Sequence, residues 1–502
     1  MSSVKTNILA NFVGRAVGAL VSLLLIPVYI RYLGIEAYGL VGLLALLTSL
    51  FGILDLGITP TVNRELARLS TRPEAAQESR NLVRTLEAFY WSIGVLIGAA
   101  VIVAAPVIAR RWVHASSLSP ATVQTAIALM GVVLALQWPF SMYEGGLIGL
   151  QQLVLYNGIQ AALQIVRGVG AIVVLQFISP TVTAFFVWQL AMSAFGTLAV
   201  AGALWKCMPP GNRPKYSSSL FRDLRVFAAE MTATTAVTLA LTQLDKVVLS
   251  RRLSLADFGY YNLAVMAASG LYFLVHPISI ALFPRLSQFF VLGDEGALSR
   301  AYHAGCQLVT VAIAPVALVM AAFSSEIMTI WTRNAVTAQR TSVLVSLLVI
   351  GTMLNGFVTV PYMLQLAAGW ARLALYVNIA VLGVQVPLLL FLIARYGAIG
   401  AAVTSLALNA AYVLVGVNFM YARLLRRERL RWYVSDILLP CAAAVVVIVP
   451  IRLFLPPLSP SIMLPALVLI VALAFAAAVM AAPDSRSALI EMVSSIQRRL
   501  TG

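Results

Sequence analysis

Arg31-Tyr32-Leu33-Gly34-Ile35-Glu36-Ala37-Tyr38-Gly39 joins two apolar runs, and its reading decides the fold. Before it, Asn7, Asn11 and Arg15 open a run that stays apolar to Ile30. After it, a second run ends in Leu54-Asp55-Leu56-Gly57 and Asn63-Arg64-Glu65-Leu66. Both runs are long enough to cross a bilayer, and an arginine or an aspartate inside such a segment is costly unless it is used. The joint also recurs: Arg31, Leu33, Tyr38 and Gly39 are echoed by Arg251, Leu253, Phe258 and Gly259 at one common offset. Each copy lies between two apolar runs. The chain therefore reads as an internal duplication.

Composition agrees. The sequence is 61% hydrophobic and 10% charged, against roughly 25% charged in soluble domains, so it reads as an all-α polytopic membrane protein. Candidate spans are 9–30, 38–58, 88–109, 126–148, 157–178, 183–205, 226–248, 259–282, 304–323, 342–362, 375–394, 400–421, 437–455 and 463–482, about fourteen by the length a bilayer requires. The +16 net charge has no basic folded domain to carry it, which argues against nucleic acid as a partner. Its arginines fall mainly in joints after even-numbered spans: Arg64 to Arg84, Arg213 to Arg225 and Arg423 to Arg431. The positive-inside rule then places both termini in the cytoplasm. An even number of spans separates the two joints, so the copies enter the membrane in the same sense. The expected architecture is two parallel six-helix bundles around a central lumen, 1–210 and 211–425, with two additional helices and a cytoplasmic tail in 426–502.

Chemistry is expected inside the bilayer, because no joint is long enough for a catalytic domain. Asn7, Asn11, Arg15, Gly18 and Ser22 share one helical face, as do Asn157, Gln160, Gln164 and Arg167. In the seventh span Glu230, Thr234, Thr238, Thr242 and Asp245 form an acidic and hydroxylic stripe beside Lys246, and Thr352, Asn355, Thr359 and Tyr362 follow in the tenth. Arg15 and Arg167 are expected to face a wet lumen or a partner, since a mid-membrane arginine costs roughly 2.5–3.5 kcal/mol. Plainer readings stand beside these: Asn157 and Gln160 as glue between helices, Arg15 paired with Asp55, Asp245 paired with Lys246, and Glu230 paired with Arg222 or Arg225. Gly94-x-x-x-Gly98 reads as a packing groove, and His114, His276 and His303 as core or interface residues rather than metal ligands. Cys207, Cys306 and Cys441 have no metal or redox spacing. No D-x-D pair occurs, and none of Lys5, Lys206, Lys215 and Lys246 follows a glycine as a P-loop requires. A glycosyltransferase, a polysaccharide polymerase and an ATP-driven pump are accordingly disfavoured, and the chain is expected to be no enzyme.

The Gly14-Arg15 start, the joint Tyr29 to Gly39, Leu54-Asp55-Leu56-Gly57 with Arg64, and Tyr143-Glu144-Gly145-Gly146-Leu147-Ile148-Gly149-Leu150-Gln151 leading to Tyr156-Asn157 resemble the Wzx-type polysaccharide flippases. These belong to the multidrug/oligosaccharidyl-lipid/polysaccharide exporter superfamily. The resemblance is strong over the first 170 residues and looser in the second half, where Ala256-Asp257 stands for Glu36-Ala37. It implies a bacterial inner-membrane protein that moves an undecaprenyl-diphosphate-linked oligosaccharide from the cytoplasmic to the periplasmic leaflet by alternating access. A lipid II flippase, or a multidrug exporter of the same superfamily, is the alternative. On this resemblance Arg15, Arg167, Asn11, Gln164 and Lys246 would hold the head group, with Arg64 at the cytoplasmic mouth and Arg31 and Arg251 at the periplasmic one. Asp55, Glu230 or Asp245 would exchange a proton or Na⁺, with no other cofactor. Polysaccharide polymerase and chain-length machinery would be the partners.

Overall fold

The computed structural model describes residues 4–55, 57–217, 236–484 and 486, the side chains of 4–22, 73 and 371–374 excepted. The helices in chain order are α1 Val4–Phe51, α2 Ile58–Leu69, α3 Ala76–Val107, α4 Pro120–Gly149, α5 Leu153–Val173 and α6 Val182–Cys207. Next come α7 (236–252), α8 Leu255–Ser269, α9 Tyr272–Leu292, α10 Glu295–Ala322, α11 Ser324–Thr332 and α12 Ala335–Ala367. The last are α13 Ala371–Tyr396, α14 Ala398–Ala411, α15 Val417–Tyr421, α16 Arg429–Arg431, α17 Leu439–Phe454 and α18 Pro460–Met480. The strand-like pairing among the described residues is one isolated parallel bridge, His114 to Ser254.

Twelve of the described helical segments are long and apolar enough to cross a membrane. The count differs from the fourteen read off the sequence at 9–30 and 226–248. The first runs into α1, and part of the second falls in 218–235, outside the described residues.

Hydropathy placed several ends wrongly. The first two spans run together as α1, bent at Gly34, whose φ of 81° and ψ of 165° leave the helical region at no cost to a residue without Cβ. The expected 259–282 is interrupted: α8 stops at Ser269, and a turn through Gly270 and Leu271 starts α9, which continues to Leu292. The third span begins early, because α3 carries the polar turn of Glu78, Arg80 and Arg84 beyond the apolar stretch. Between Thr59 and Glu87 lie α2, a 3-10 turn at Pro73–Ala75 and the start of α3. In α2, buried Ile58, Val62, Leu66 and Leu69 recur at helical spacing, the pattern of a helix lying on an apolar surface.

The chain divides into two compact units, Met1–Gly259 and Tyr260–Gly502. In the first, α4 packs on α2, α3 and α6, and α1 on α5. The Gly94 and Gly98 groove predicted from the sequence lets α3 and α4 touch backbone to backbone. A Cβ on Gly98 would stand 2.8 Å from the Gly131 carbonyl oxygen, and one on Gly131 equally close to that of Gly98. In the second unit, α10 and α12 form the centre, with α9, α14 and α17 against them. Val319, Phe323, Ala444, Ile448, Met463, Leu467, Ile470 and Ala474 make one buried cluster that fastens α17 and α18 to the end of α10.

Candidate functional site

Arg167 lies on α5, half-buried in the middle of an apolar helix. Its backbone is held from both sides. The Trp188 indole N–H on α6 donates to the Arg167 carbonyl (2.9 Å), and the Tyr29 hydroxyl on α1 donates to the next carbonyl, Gly168 (3.0 Å). Packing Trp188 flat against Gly170 needs that glycine, since a Cβ there would overlap the indole. No acidic side chain pairs with Arg167 among the described residues. A half-buried guanidinium on a helix whose backbone is held from both sides, with five donors and no carboxylate, is suited to an incoming anion. One and two turns earlier on the same face come Gln164 and Gln160, both half-buried, then Asn157, only 7% exposed and with its amide nitrogen unpartnered. An uncommitted buried donor is not what helix glue would leave.

The side chains of Asn11 and Arg15, predicted to complete this face, lie outside the described residues, as does Glu230. Lys246 is half-buried on α7 and donates to Gln243 Oε1 (3.1 Å); no ion pair joins it to Asp245 among the described residues. Asp55 is half-buried, and neutral donors engage it: the Thr59 hydroxyl (2.7 Å), the Thr59 backbone N–H (3.2 Å) and the Tyr90 hydroxyl (2.5 Å). It thereby closes the turn into α2, after Gly57 at a φ of 72°. Arg64 is exposed and paired with Glu65 (2.9 Å). Arg31 is exposed at the first joint, and Arg251 lies with its guanidinium 5.3 Å over the Trp112 ring.

Two buried polar clusters escaped the sequence reading. In the first unit Glu87 is nearly buried and accepts from the Trp205 indole (2.6 Å), the Tyr143 hydroxyl (3.0 Å) and Arg84 (3.1 Å). In the second unit His303, fully buried on α10, meets Asp436 through Nδ1 (2.5 Å) and Glu428 through Nε2 (3.1 Å). Gln307, one turn on, donates to Asp436 (3.0 Å) and Asp484 (3.1 Å). The hint of these in the sequence is carboxylates near the ends of apolar runs; Trp205 stands 118 positions from Glu87 and Asp436 133 positions from His303.

Residues 4–290 match the family described as "Polysaccharide biosynthesis protein", and residues 231–391 match the family "MatE". A Shigella flexneri protein named "Putative O-antigen transporter" is 23% identical over 411 residues, covering 80% of this chain and 94% of that protein. Among solved structures, a lipid II flippase MurJ in an inward closed conformation aligns with a TM-score of 0.67 at 15% identity, covering 94% of this chain and 97% of that one. A multidrug resistance MATE family transporter of the MOP superfamily, in an inward-facing conformation, aligns with a TM-score of 0.60 at 14% identity, over 82% of this chain and 99% of the other.

Proposed function

Because the chain belongs to the polysaccharide biosynthesis protein family and is a multi-pass membrane transporter of the flippase superfamily, we propose that it carries a polyprenyl-diphosphate-linked oligosaccharide from the cytoplasmic to the outer leaflet of the bacterial inner membrane. The observation that supports this reading most is Arg167. A lipid diphosphate concentrates negative charge on its phosphate oxygens, and the planar fork of arginine answers it with paired, charge-assisted hydrogen bonds. Gln164, Asn11, Arg15 and Lys246 extend the same donor surface in this reading, and Arg64, Arg31 and Arg251 stand at its two mouths. Residues 1–210 and 211–425 act as its repeat halves, with both termini cytoplasmic.

The return of the empty carrier requires a bias, and an imposed proton or Na⁺ gradient would supply it through Asp245 or Glu230. Asp55 is the third candidate for this exchange. The family relative named as an O-antigen transporter favours a surface-polysaccharide repeat unit over lipid II as the cargo.

The test is transport of lipid-linked oligosaccharide in proteoliposomes. Arg167→Ala should reduce it to a few per cent at normal protein yield, and Arg167→Lys should restore only part, since a point charge lacks the planar fork. Wild-type transport by Arg167→Ala would refute the assignment. Transport of lipid II in preference to the polysaccharide precursor would refute the substrate.

A further inference from the structure

The duplicated joint noticed in the sequence returns in the structure as a contact of the two copies with each other. Gly39 of the first copy abuts the Leu255 carbonyl of the second, and Gly259 of the second abuts the Ile35 carbonyl of the first. Gly39 and Gly259 are counterparts at the repeat offset, and so are Ile35 and Leu255. The contact is therefore reciprocal, the isologous arrangement of a two-fold dimer realised inside one chain. It leaves no room for a side chain. A Cβ on Gly259 would stand 2.5 Å from the Ile35 oxygen, and one on Gly39 would be closer still to that of Leu255.

The joint between α3 and α4 grips both copies at the same level. The backbone N–H groups of Ser116, Ser117 and Leu118 and the Ser117 hydroxyl all donate to Glu36 of the first copy. On the other side the Leu255 N–H donates to the His114 carbonyl (2.8 Å), and the Trp112 indole donates to Ser250 (3.0 Å). The seam is thus uneven. Four hydrogen bonds converge on one carboxylate to bind this joint to the first copy. Two separate hydrogen bonds bind it to the second, which meets the first copy at the paired glycines.

We propose that this reciprocal glycine contact is the outer gate of the transporter, closed in this structure, and that it opens along the seam between the second copy and the first copy with its α3–α4 joint. The proposal rests on the transport reading. A contact on a pseudo-two-fold axis opens when both copies tilt alike, so one motion parts both glycine contacts. Backbone packed on backbone has no side chain to follow it, so the closed state is lost over a short displacement.

The experiment uses the full chain with Cys207, Cys306 and Cys441 replaced by serine and one reporter, Gln164→Cys, labelled by a membrane-impermeant maleimide from the outer face. Gly39→Ala and Gly259→Ala should each raise the labelling rate by about tenfold, the population shift that modest overpacking of one state produces. Gly202→Ala, where a Cβ meets open space, should leave it unchanged. Unchanged labelling in either glycine variant, present in the membrane at normal amount, overturns the proposal.

Should those variants fail to accumulate, a second pair decides. His114→Cys with Ser254→Cys places thiols on bridge partners, and paired strands lie about 4.8 Å apart, within disulfide reach. Oxidation should stop transport of lipid-linked oligosaccharide and reduction should restore it. Full transport by the cross-linked protein overturns the gate. Labelling needs no cargo, so changed labelling, with no oligosaccharide transport by the protein that retains Gln164, would remove the substrate assignment and leave the gate standing.

Discussion

Replacing Glu36 by glutamine tests how the first joint is held together. The carboxylate is 6% exposed. One oxygen takes the Ser116 N–H, and the other takes the Ser117 N–H (2.8 Å), the Ser117 hydroxyl and the Leu118 N–H (3.0 Å). A glutamine can keep its single oxygen toward the three-donor side. Its NH₂ then faces the Ser116 N–H, donor against donor, and a buried unsatisfied N–H costs about 1–3 kcal/mol. The three retained bonds lose their charge assistance, roughly half of their strength, or about 2 kcal/mol together by the usual net values. The sum is about 4 kcal/mol. For a unit of this size a kilocalorie moves the midpoint by about 2–4 °C, so the thermal midpoint in detergent should fall on the order of 10 °C. The assay is a thermal ramp followed by a thiol-reactive dye, in which half-buried Cys207 on α6 reports the first unit and buried Cys306 on α10 the second. A midpoint within about 2 °C of wild type would mean that the α3–α4 joint does not depend on this carboxylate, and the uneven seam would lose its basis.

Two further outcomes follow from the same kind of reasoning. Asp436→Ala strips the buried His303 and Gln307 of their shared acceptor and should cost about 3–5 kcal/mol, as breaking a buried pair does, read as a lowered midpoint in the same ramp. At Glu65, burial pushes the carboxyl up, but hydrogen bonds and charge from Arg68 and Arg64 outweigh it and hold the group below its usual value. The small stability it gives α2 is therefore complete above the ordinary glutamate range and is lost as pH falls through the lower folded-state value. Glu65→Gln should abolish that acid-side loss and cost less than about 1 kcal/mol at neutral pH, the scale of an exposed pair; a pH series of midpoints reads both.

Membrane class, the repeat and the deep arginine were legible because each is written locally. Hydropathy needs one window, the repeat needs one offset, and Arg167 is conspicuous against its own apolar neighbours. Gly94 and Gly98 were legible as a groove for the same reason, although their partner Gly131 was not. The interruption at Gly270 was invisible, because both sides of it are apolar enough for one continuous span. Glu87, and the partners of His303 (itself read as a core or interface residue), were missed because a buried charge is explained by its partners. Trp205 and Asp436 stand 118 and 133 positions away from them, and no spacing rule reaches so far. The arrangement of Gly39 against Leu255 is an intermediate case. Its two glycines were noted as a repeat, but a repeat does not say that its copies touch.

The His303–Asp436 link has a consequence for how the protein is made. Asp436 follows His303 by 133 residues, and at roughly 5–20 residues per second it leaves the ribosome on the order of ten seconds later. During that interval α10 has a histidine and a glutamine in place with their acceptor still unsynthesised, and lipid offers no substitute for it. A nascent chain that stops short of α17 therefore carries an unquenched polar spot on a helix already delivered to the membrane. That spot stays uncovered until Asp436 and the last two helices arrive.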